Sequence, residues 1–307
     1  MKYTKETKPE EISNDIRAYN PNLKESSIRQ YTHRITHFIK NFNDIDLANP
    51  QELLNNINSS YQNLNTRKGL IAPLAKLSQN KMLLEEVQNL TAIIRAENEQ
   101  NKTSDKEKIA WLSKAEINRI INSHVKKIKE FEDSQNPTPY QRRLVKKFVL
   151  FLLYCGKFMP PRRITDYSLL LWDYDGTTDY NYIYINGNKF VFNKYKTAAT
   201  YGQQIINIPK QIMKYINLHR KLNYADSTSK FMFSSTEYPL AAISINSFLS
   251  DITGKQINSN IFRKIYISEL FKSHKSLKEI KEATTLMGTS SSVALESYNK
   301  IDVDSLD

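Results

Sequence analysis

The sequence predicts a mainly α-helical protein with a small antiparallel β-sheet, divided into two domains. Apolar residues recur at helical spacing along most of the chain, an alternating pattern appears between residues 182 and 208, and residues 96–108 are polar without periodicity. A length of 307 residues is sufficient for two domains that each bury their own core. We therefore expect a helical domain over residues 1–95, a linker over residues 96–108 and an α+β domain over residues 109–307.

The first domain is predicted to consist of helices. Residues 26–42 place apolar side chains along one helical face, and further helical patterns cover residues 64–78 and 81–97. This spacing predicts a small helical bundle with a basic surface. The basic side chains on the remaining face of the helix over residues 26–42 include Arg29, Arg34 and Lys40.

The second domain opens with a helix signal and contains the predicted sheet. Ser113 and Glu116 have the spacing of a capping box, and a strongly apolar helix follows the break "SQNPTP". The segments "YIYI", "NGN" and "KFVFNKY" predict a hairpin with Asn186 and Gly187 in its turn, and "GQQIINIP" predicts a third strand. Helical patterns then return over residues 210–223, 242–252, 260–272 and 276–287.

The charge and composition limit the partners of the protein. The 44 Lys and Arg residues outnumber the 32 Asp and Glu residues and give a formal net charge of +12, which favours a polyanion such as nucleic acid. A solvated, lysine-rich surface is the alternative. The lone Cys155 excludes an internal disulfide. The longest apolar stretch is too short to cross a bilayer, and "MKYTKETKPEE" lacks the apolar core of a signal peptide. We therefore expect an intracellular protein that does not bind membranes.

Four polar side chains of the second domain stand at marked positions. Arg163 follows a proline break in "PPRRITDYSLLLW", and Lys196 lies in "NKYKTAATYGQQI" between two predicted strands. Arg263 lies near a helix start in "NSNIFRKIYISELF", and Tyr298 follows a hydroxyl-rich turn in "MGTSSSVALESYNK". Each of them alone is typical of a solvent-exposed or packed side chain, so any functional meaning lies in the set and its order.

In this order the four groups resemble the catalytic domain of the tyrosine recombinases, the phage-integrase family of DNA strand-exchange enzymes. In that family an arginine opens an Arg-Ile-x-Glu/Asp-Leu motif, which is matched by Arg163, Ile164 and Asp166. Tyr167 stands in place of the leucine. A lysine on a β-hairpin loop precedes a strand that ends in Val/Ile-Pro, as Lys196 precedes "IINIP".

Two further motifs of the family are matched in part. The His-x-x-Arg motif is matched at Arg263, with Asn260 where histidine is usual. The Leu-Gly-His-Ser-Ser motif is Met-Gly-Thr-Ser-Ser at residues 287–291, so Thr289 replaces its histidine, and Tyr298 follows nine residues later as in the family. The first domain is similar to the helical core-binding domain of the family, so the resemblance covers nearly the whole chain. The proline-flanked double arginine is similar to divergent members carried by viruses and mobile elements.

The resemblance implies site-specific DNA strand exchange, in integration or excision, through a 3′-phosphotyrosyl intermediate on Tyr298. The guanidiniums of Arg163 and Arg263 suit the negative charge that develops on the phosphate oxygens during attack. Lys196 is the candidate general acid that protonates the leaving 5′ oxygen, and Lys194 in the same loop is the alternative.

The resemblance also implies the partners and cofactors. No metal or other cofactor is expected, and the acidic stretch "WDYDGTTD" over residues 172–179 is interpreted as a turn. The expected partner is double-stranded DNA, bound by a homotetramer on paired sites, with the two domains closing around the duplex. The basic residues expected to contact DNA are Arg29, Arg34, Lys40, Arg162 and Lys194.

The two departures from the family pattern leave alternatives open. Asn260 and Thr289 can form hydrogen bonds, but neither side chain titrates near neutral pH as histidine does. The protein is therefore either an enzyme with altered phosphate contacts or a degenerate member that binds DNA without cutting it. We favour the enzyme because all four charged or nucleophilic positions remain. A type IB topoisomerase, which uses a similar set of groups, is the alternative among enzymes.

Overall fold

Helices account for most of the residues that the computed structural model describes, which are 1–173, 176–224, 230–273 and 275–302. The predicted fold class, mainly α with a small antiparallel sheet, is confirmed. The chain divides into two units, Met1–Gln100 and Asn101–Asp307. Among the described residues, no helix has the length and apolar character needed to cross a membrane.

The first unit combines helices with one short antiparallel strand pair. Its elements are β1 Lys2–Tyr3, α1 Pro9–Tyr19, α2 Glu25–Asn41, β2 Ile45–Asp46, α3 Pro50–Ser60, α4 Leu64–Ser78 and α5 Lys81–Glu99. The apolar face of α2 is buried as its spacing predicts, and Ile35 and Phe38 are fully buried. Asn63 and Asn80 fix the starts of α4 and α5, because their side-chain oxygens accept hydrogen bonds from backbone N–H groups of the first turn.

The segment predicted as a linker over residues 96–108 is largely helical, which corrects the prediction. Helix α5 continues to Glu99, and helix α6 spans Asp105–Ala110, so only residues 100–104 lie outside helices. Ser104 and Glu107 form a capping box that starts α6, with both reciprocal hydrogen bonds present. Polar composition alone could not separate a linker from these solvent-facing helical turns.

The second unit contains the remaining helices and a four-stranded mixed sheet. The helices after α6 are α7 Lys114–Lys129, α8 Pro139–Tyr154, α9 Ile164–Ser168, α10 Ala198–Tyr201, α11 Lys210–Tyr224, α12 Ala242–Thr253, α13 Ser259–Lys272, α14 Leu277–Leu286 and α15 Ser291–Ser297. The strands are β3 Leu170–Trp172, β4 Asn181–Tyr184, β5 Lys189–Phe192 and β6 Gln204–Asn207, in that spatial order.

The sheet is antiparallel only in part. The predicted strands form the antiparallel arrangement β4-β5-β6, but β3 pairs with β4 in parallel and makes the sheet mixed. Asn186 and Gly187 lie in the hairpin turn as predicted, and the positive φ angle of this turn falls on Asn188, at 49°. A Cβ atom on Gly187 would lie 2.5 Å from the ring of Tyr184, so close side-chain packing is the reason for glycine there.

Helix α8 lies in the core of the second unit, and every residue from Phe148 to Tyr154 is buried. Helices α7, α11, α12 and α13 pack against it. The second half of α8, "FVLFLLY", is apolar on all sides, and such a segment is stable only when other elements surround it, so its sequence accounts for its central position. Cys155 follows it as a buried thiol, and burial raises the pKa of this thiol to about 12.

Candidate active site

The adjacent residues Arg162 and Arg163 lie in different surroundings. Arg162 is fully buried, and its Nε donates to Asp166 Oδ2 at 2.9 Å while its Nη1 donates to Gln204 Oε1 at 2.6 Å. Its guanidinium carbon also lies 4.0 Å from the ring centre of Phe192. The structure therefore contradicts the prediction that Arg162 contacts DNA at the surface. The carboxylate of Asp166 inside the core is the physical reason, because a buried guanidinium needs such a partner.

Arg163 is half-buried and stands immediately before α9, where its Nη1 donates to the carbonyl oxygen of Gly288. Arg263 lies in α13 and is fully buried. Its Nη1 donates to the carbonyls of Pro161 at 2.9 Å and Met287 at 3.2 Å. Its Nε and Nη2 find no hydrogen-bond partner among the described residues. Two buried donors are thus left for a ligand.

The arginines meet at the backbone carbonyls of residues 285–288, which end α14 and continue into the next turn. The last carbonyls of a helix have no partner within it and carry partial negative charge, so cationic donors are favourable there. We call these four groups the carbonyl run 285–288. Its side-chain donors are Gln204 to Thr285, Arg162 to Leu286, Arg263 to Met287, and Arg163 and Thr197 to Gly288.

Tyr298 directly follows α15, whose start is capped by the side chain of Ser290. The phenol ring is half-buried, and the guanidinium carbon of Arg263 lies 4.7 Å from its centre. Burial raises the pKa of the Tyr298 phenol, but the positive charges of Arg263, Arg163 and Lys196 outweigh it, so the pKa lies below its ordinary value. The fold therefore brings together the four groups that the sequence separates by up to 135 positions, from Arg163 to Tyr298.

The two lysines of the loop between β5 and α10 differ in what they face. Both are exposed, and Lys194 Nζ lies 3.9 Å from Asp179 Oδ1. Lys196 instead contributes positive charge at Tyr298. This arrangement favours Lys196 over Lys194 as the candidate general acid.

The two residues that replace family histidines are placed differently. Asn260 is exposed in the first turn of α13, and together with Tyr298 it lines a cleft of about 650 Å³. Thr289 is buried, and its backbone N–H donates to the carbonyl of Thr284 at 3.0 Å. Only Asn260 of this pair therefore stands at a surface that a ligand can reach. Other polar residues that line the cleft are Lys106, Glu107, Gln256, Asn258, Lys264 and Ser297.

Comparisons with known proteins bear on the fold. No protein-family model and no curated protein matches the sequence. Among solved structures, the chain is similar to the XerA recombinase, with 13% identity, 97% and 96% of the two chains covered and a TM-score of 0.43. It is also similar to the Tn1549 transposon integrase in complex with transposon right-end DNA, with 13% identity, 97% of each chain covered and a TM-score of 0.56. The chain has the fold of this integrase. The predicted resemblance to tyrosine recombinases is thereby confirmed at the level of the fold.

Two polar residues of this integrase fold, the buried Asn181 and the half-buried Gln204, hold the candidate site together and were not predicted. The amide of Asn181 donates to the carbonyls of Asp166 and Lys194, and its oxygen accepts from the backbone N–H groups of Asn193 and Lys194. It thereby ties the lysine loop to α9. Gln204 links Arg162 to the carbonyl run 285–288. Neither residue belongs to a recognisable motif, so the sequence offered no signal for them.

The basic residues predicted to contact DNA from the first unit are only partly free. Arg29 is exposed, with its Nε 3.6 Å from Glu25 Oε1, and Lys40 is exposed. Arg34 is half-buried, because its guanidinium packs on Gly69 so closely that a Cβ atom there would lie 1.8 Å from Nη1. Within the predicted acidic turn "WDYDGTTD", residues 174 and 175 lie outside the described residues, and no group of metal ligands occurs among those that are described.

Proposed function

We propose that the protein is a tyrosine recombinase that exchanges DNA strands at specific sites. The observation that supports this most is the convergence of the positive charges of Arg263, Arg163 and Lys196 on the phenol of Tyr298. A phosphodiester is the substrate that such a set suits, because it combines oxygens for guanidiniums, a phosphorus for a nucleophile and a leaving oxygen for an acid. The integrase fold agrees with this proposal.

The two arginines would stabilise the phosphate during attack. Negative charge grows on the non-bridging oxygens as the phenol oxygen approaches phosphorus. Fixed guanidiniums therefore bind the phosphate more strongly in the transition state than in the ground state. The unpartnered Nε and Nη2 of Arg263 are suited to this role. Arg163 would contribute the second guanidinium while its Nη1 remains anchored on Gly288.

In the proposed covalent step, the phosphoryl group moves from the 5′ oxygen of one nucleotide to the phenol oxygen of Tyr298. The Tyr298 oxygen forms a bond to phosphorus, the bond from phosphorus to the 5′ oxygen breaks, and Lys196 protonates that leaving oxygen. The phenol proton passes to water, and the lowered pKa of Tyr298 reduces the free energy needed to release it. Attack of another 5′ hydroxyl on the 3′-phosphotyrosine would reverse the step and join a new strand.

The formal net charge of +12 supports double-stranded DNA as the partner. The exposed Arg29, Lys40 and Lys194 are proposed contacts to phosphates. Because one protomer supplies one nucleophile for one strand, exchange between two duplexes requires four protomers. We therefore propose a homotetramer on paired DNA sites, within a cell and in association with DNA.

Covalent capture on nicked DNA tests the proposal. Nicked duplexes with a randomised region are incubated with the protein, and complexes that survive denaturation are recovered and sequenced. We expect a 3′-phosphotyrosyl adduct at Tyr298 that Tyr298→Phe abolishes while DNA affinity stays nearly unchanged. Tyr266→Phe is the matched control, because Tyr266 packs in the same apolar cluster as Tyr298 and should keep the adduct when altered.

The other outcomes identify the alternatives. DNA binding without any adduct would indicate a catalytically inactive DNA-binding protein. Relaxation of supercoiled plasmid by a monomer, without joint molecules on captured sites, would indicate a type IB topoisomerase. An adduct on Ser290, Ser291 or Ser292 would remove Tyr298 from the proposed role.

A further inference from the structure

The residues that precede and begin α6 contact the chain immediately after Tyr298. The carbonyl of Asn101 accepts from Ile301 N–H at 3.0 Å, and the carbonyl of Lys102 accepts from Lys300 Nζ at 2.8 Å. The backbone N–H of Thr103 donates to the Asp302 carboxylate at 2.8 Å. Three successive positions therefore hold residues 300–302, so the segment 101–103 restrains the backbone that leads away from Tyr298.

Glu107 extends this attachment to the helix that contains Arg263. One of its carboxylate oxygens accepts from Ser104 N–H at 2.9 Å, and the other pairs with Lys264 Nζ. The side chains of Glu107 and Lys264 are only 14% and 20% exposed. Burial raises the pKa of Glu107, but the hydrogen bonds from Lys264 and the Ser104 N–H and the charge of Lys264 together lower it by more. The pKa of Glu107 therefore lies below its ordinary value, and the carboxylate is ionised. Burial lowers the pKa of the Lys300 ammonium, and the negative charge of Glu107 partly opposes this shift.

These contacts place Glu107 between the two sides of the candidate active site. Lys264 directly follows Arg263 in α13, and Lys300 lies two residues after Tyr298. Glu107, Lys264 and Tyr298 also line the same cleft. Glu107 thus pairs with the residue beside Arg263, and the segment 101–103 just before its helix holds the residues that follow Tyr298.

We infer that Glu107 is a positioning residue that holds the Tyr298 phenol against Arg263, and this inference rests on the proposed function. The partly buried Glu107 carboxylate fixes Lys264 to the start of α6, because separating the pair leaves a desolvated ion without a partner. The segment 101–103, just before α6, holds Lys300 and its neighbours by hydrogen bonds. The backbones attached to Lys264 and Lys300 bear Arg263 and Tyr298. Glu107 therefore sets the distance between nucleophile and guanidinium without contacting the substrate.

The pKa of Tyr298 distinguishes positioning from a direct electrostatic effect. If Glu107 only added a negative charge near the phenol, its removal would lower the pKa of Tyr298. If Glu107 holds the phenol beside Arg263, its removal lets the ring move away from that guanidinium, and the pKa of Tyr298 rises. The two effects have opposite signs. A residue that merely stabilises the fold would leave the pKa unchanged.

The experiment is a titration of the full-length protein labelled with ¹³C at the tyrosine Cζ, with the Tyr298 signal identified by its loss in Tyr298→Phe. We expect Glu107→Gln to raise the pKa of Tyr298. Single-turnover cleavage of nicked DNA should fall about tenfold to a hundredfold, since a small misplacement of reacting atoms has effects of that size. The affinity for DNA should be unchanged.

Glu116→Gln is the matched control. Glu116 also closes a capping box, with Ser113, and also pairs with a distant lysine, Lys255 Nζ at 2.9 Å. It does not line the cleft beside Tyr298. The control should therefore lose the same kind of ion pair and leave both the pKa of Tyr298 and the cleavage rate unchanged.

An unchanged or lowered pKa of Tyr298 in folded Glu107→Gln would overturn the inference. If that variant does not fold, Thr103→Val decides, because it removes the hydroxyl that bonds Asp302 while keeping every charge. A raised pKa in Thr103→Val supports positioning by this segment, and an unchanged one overturns it. The titration needs no cleavage, so the two proposals can fail separately. Absence of an adduct would reject the proposed function, whereas a raised pKa of Tyr298 in the same protein would still support positioning of the phenol by Glu107.

Discussion

Two neighbouring arginines show how the environment of a residue decides its role. Arg162 is inside the core with Asp166, four residues further along, and Arg163 stands half-buried at the start of α9. Arg162 precedes α9 and Asp166 lies in the first turn of that helix, so the ion pair spans the start of the helix. The sequence also favours Arg163 for the phosphate because of the Ile-x-Asp that follows it. Burial of Arg162 could not be predicted, since it depends on the distant Gln204 and Leu286.

Alanine substitution should separate these roles. Arg162→Ala leaves Asp166 buried without its partner, and we expect the free energy of unfolding to fall by about 3–5 kcal/mol. Arg163→Ala should change stability little, because the Gly288 carbonyl still accepts from Thr197, but it should lower the cleavage rate about 10²–10³-fold. Urea unfolding and single-turnover cleavage measure the two effects. Equal destabilisation by both substitutions would contradict this assignment.

At the scale of elements, most helices with a clear apolar period were predicted, but α1 and α3, with eleven residues each, and several short elements were not. Helix α7 begins at the predicted capping box, and the hairpin of β4 and β5 lies where the alternating pattern indicates. Strand β3, with three residues, and helix α6, with six, were missed. Three residues are too few to show a period, and the parallel pairing of β3 with β4 depends on a tertiary contact. The four candidate site residues follow from the order of motifs in the sequence and stay a prediction, whereas Asn181 follows no local pattern.

Helix α11 contains a buried histidine with a consequence for stability against acid. His219 is fully buried, with Nε2 2.8 Å from the Met232 carbonyl and Nδ1 2.9 Å from Asn223 Nδ2. These partners suit the neutral ring, with the proton on Nε2. Burial lowers the pKa of His219 to about 3, although the Met232 carbonyl opposes this shift.

The sign of the pH dependence follows from that lowered pKa. The unfolded chain binds a proton at His219 near its ordinary pKa of about 6.5, and the folded chain does not until about pH 3. Stability should therefore be complete above pH 6.5 and decrease as the pH falls below it. Urea unfolding at pH 7, 6 and 5 should show this decrease, and His219→Gln should flatten it. His124, whose pKa burial also lowers, adds a dependence of the same sign, so His124→Gln serves as comparison.

At the scale of the whole molecule, the chain divides at Gln100 into two units. Residues 101–107 belong to the second unit, where they hold residues 300–302 and Lys264. The proposed catalytic domain therefore begins before residue 109. The polar composition of this segment predicted a linker. Its attachment to the second unit could not be predicted, because its hydrogen bonds join it to residues almost 200 positions away.

Truncated chains test where the second unit begins. We expect residues 101–307 to unfold cooperatively as a fragment. Residues 109–307 should be less stable by at least about 3 kcal/mol, because the partly buried Lys264 loses Glu107 and residues 300–302 lose their partners. Urea unfolding of the two fragments measures the difference. Equal stability would show that residues 101–108 contribute nothing to this unit.

The carbonyl run 285–288 also has a kinetic consequence. Arg162 and Arg163 reach it across 124 and 125 positions of the chain, so their contacts require the closure of a very long loop. Contacts so distant in sequence cost more loop-closure entropy than local helices, so we expect them to form later during folding. In a partly folded chain Tyr298 is therefore an ordinary phenol, without the arginines that lower its pKa. If Tyr298 is the nucleophile, as proposed, a chain in which these contacts have not yet formed would not attack a DNA phosphate.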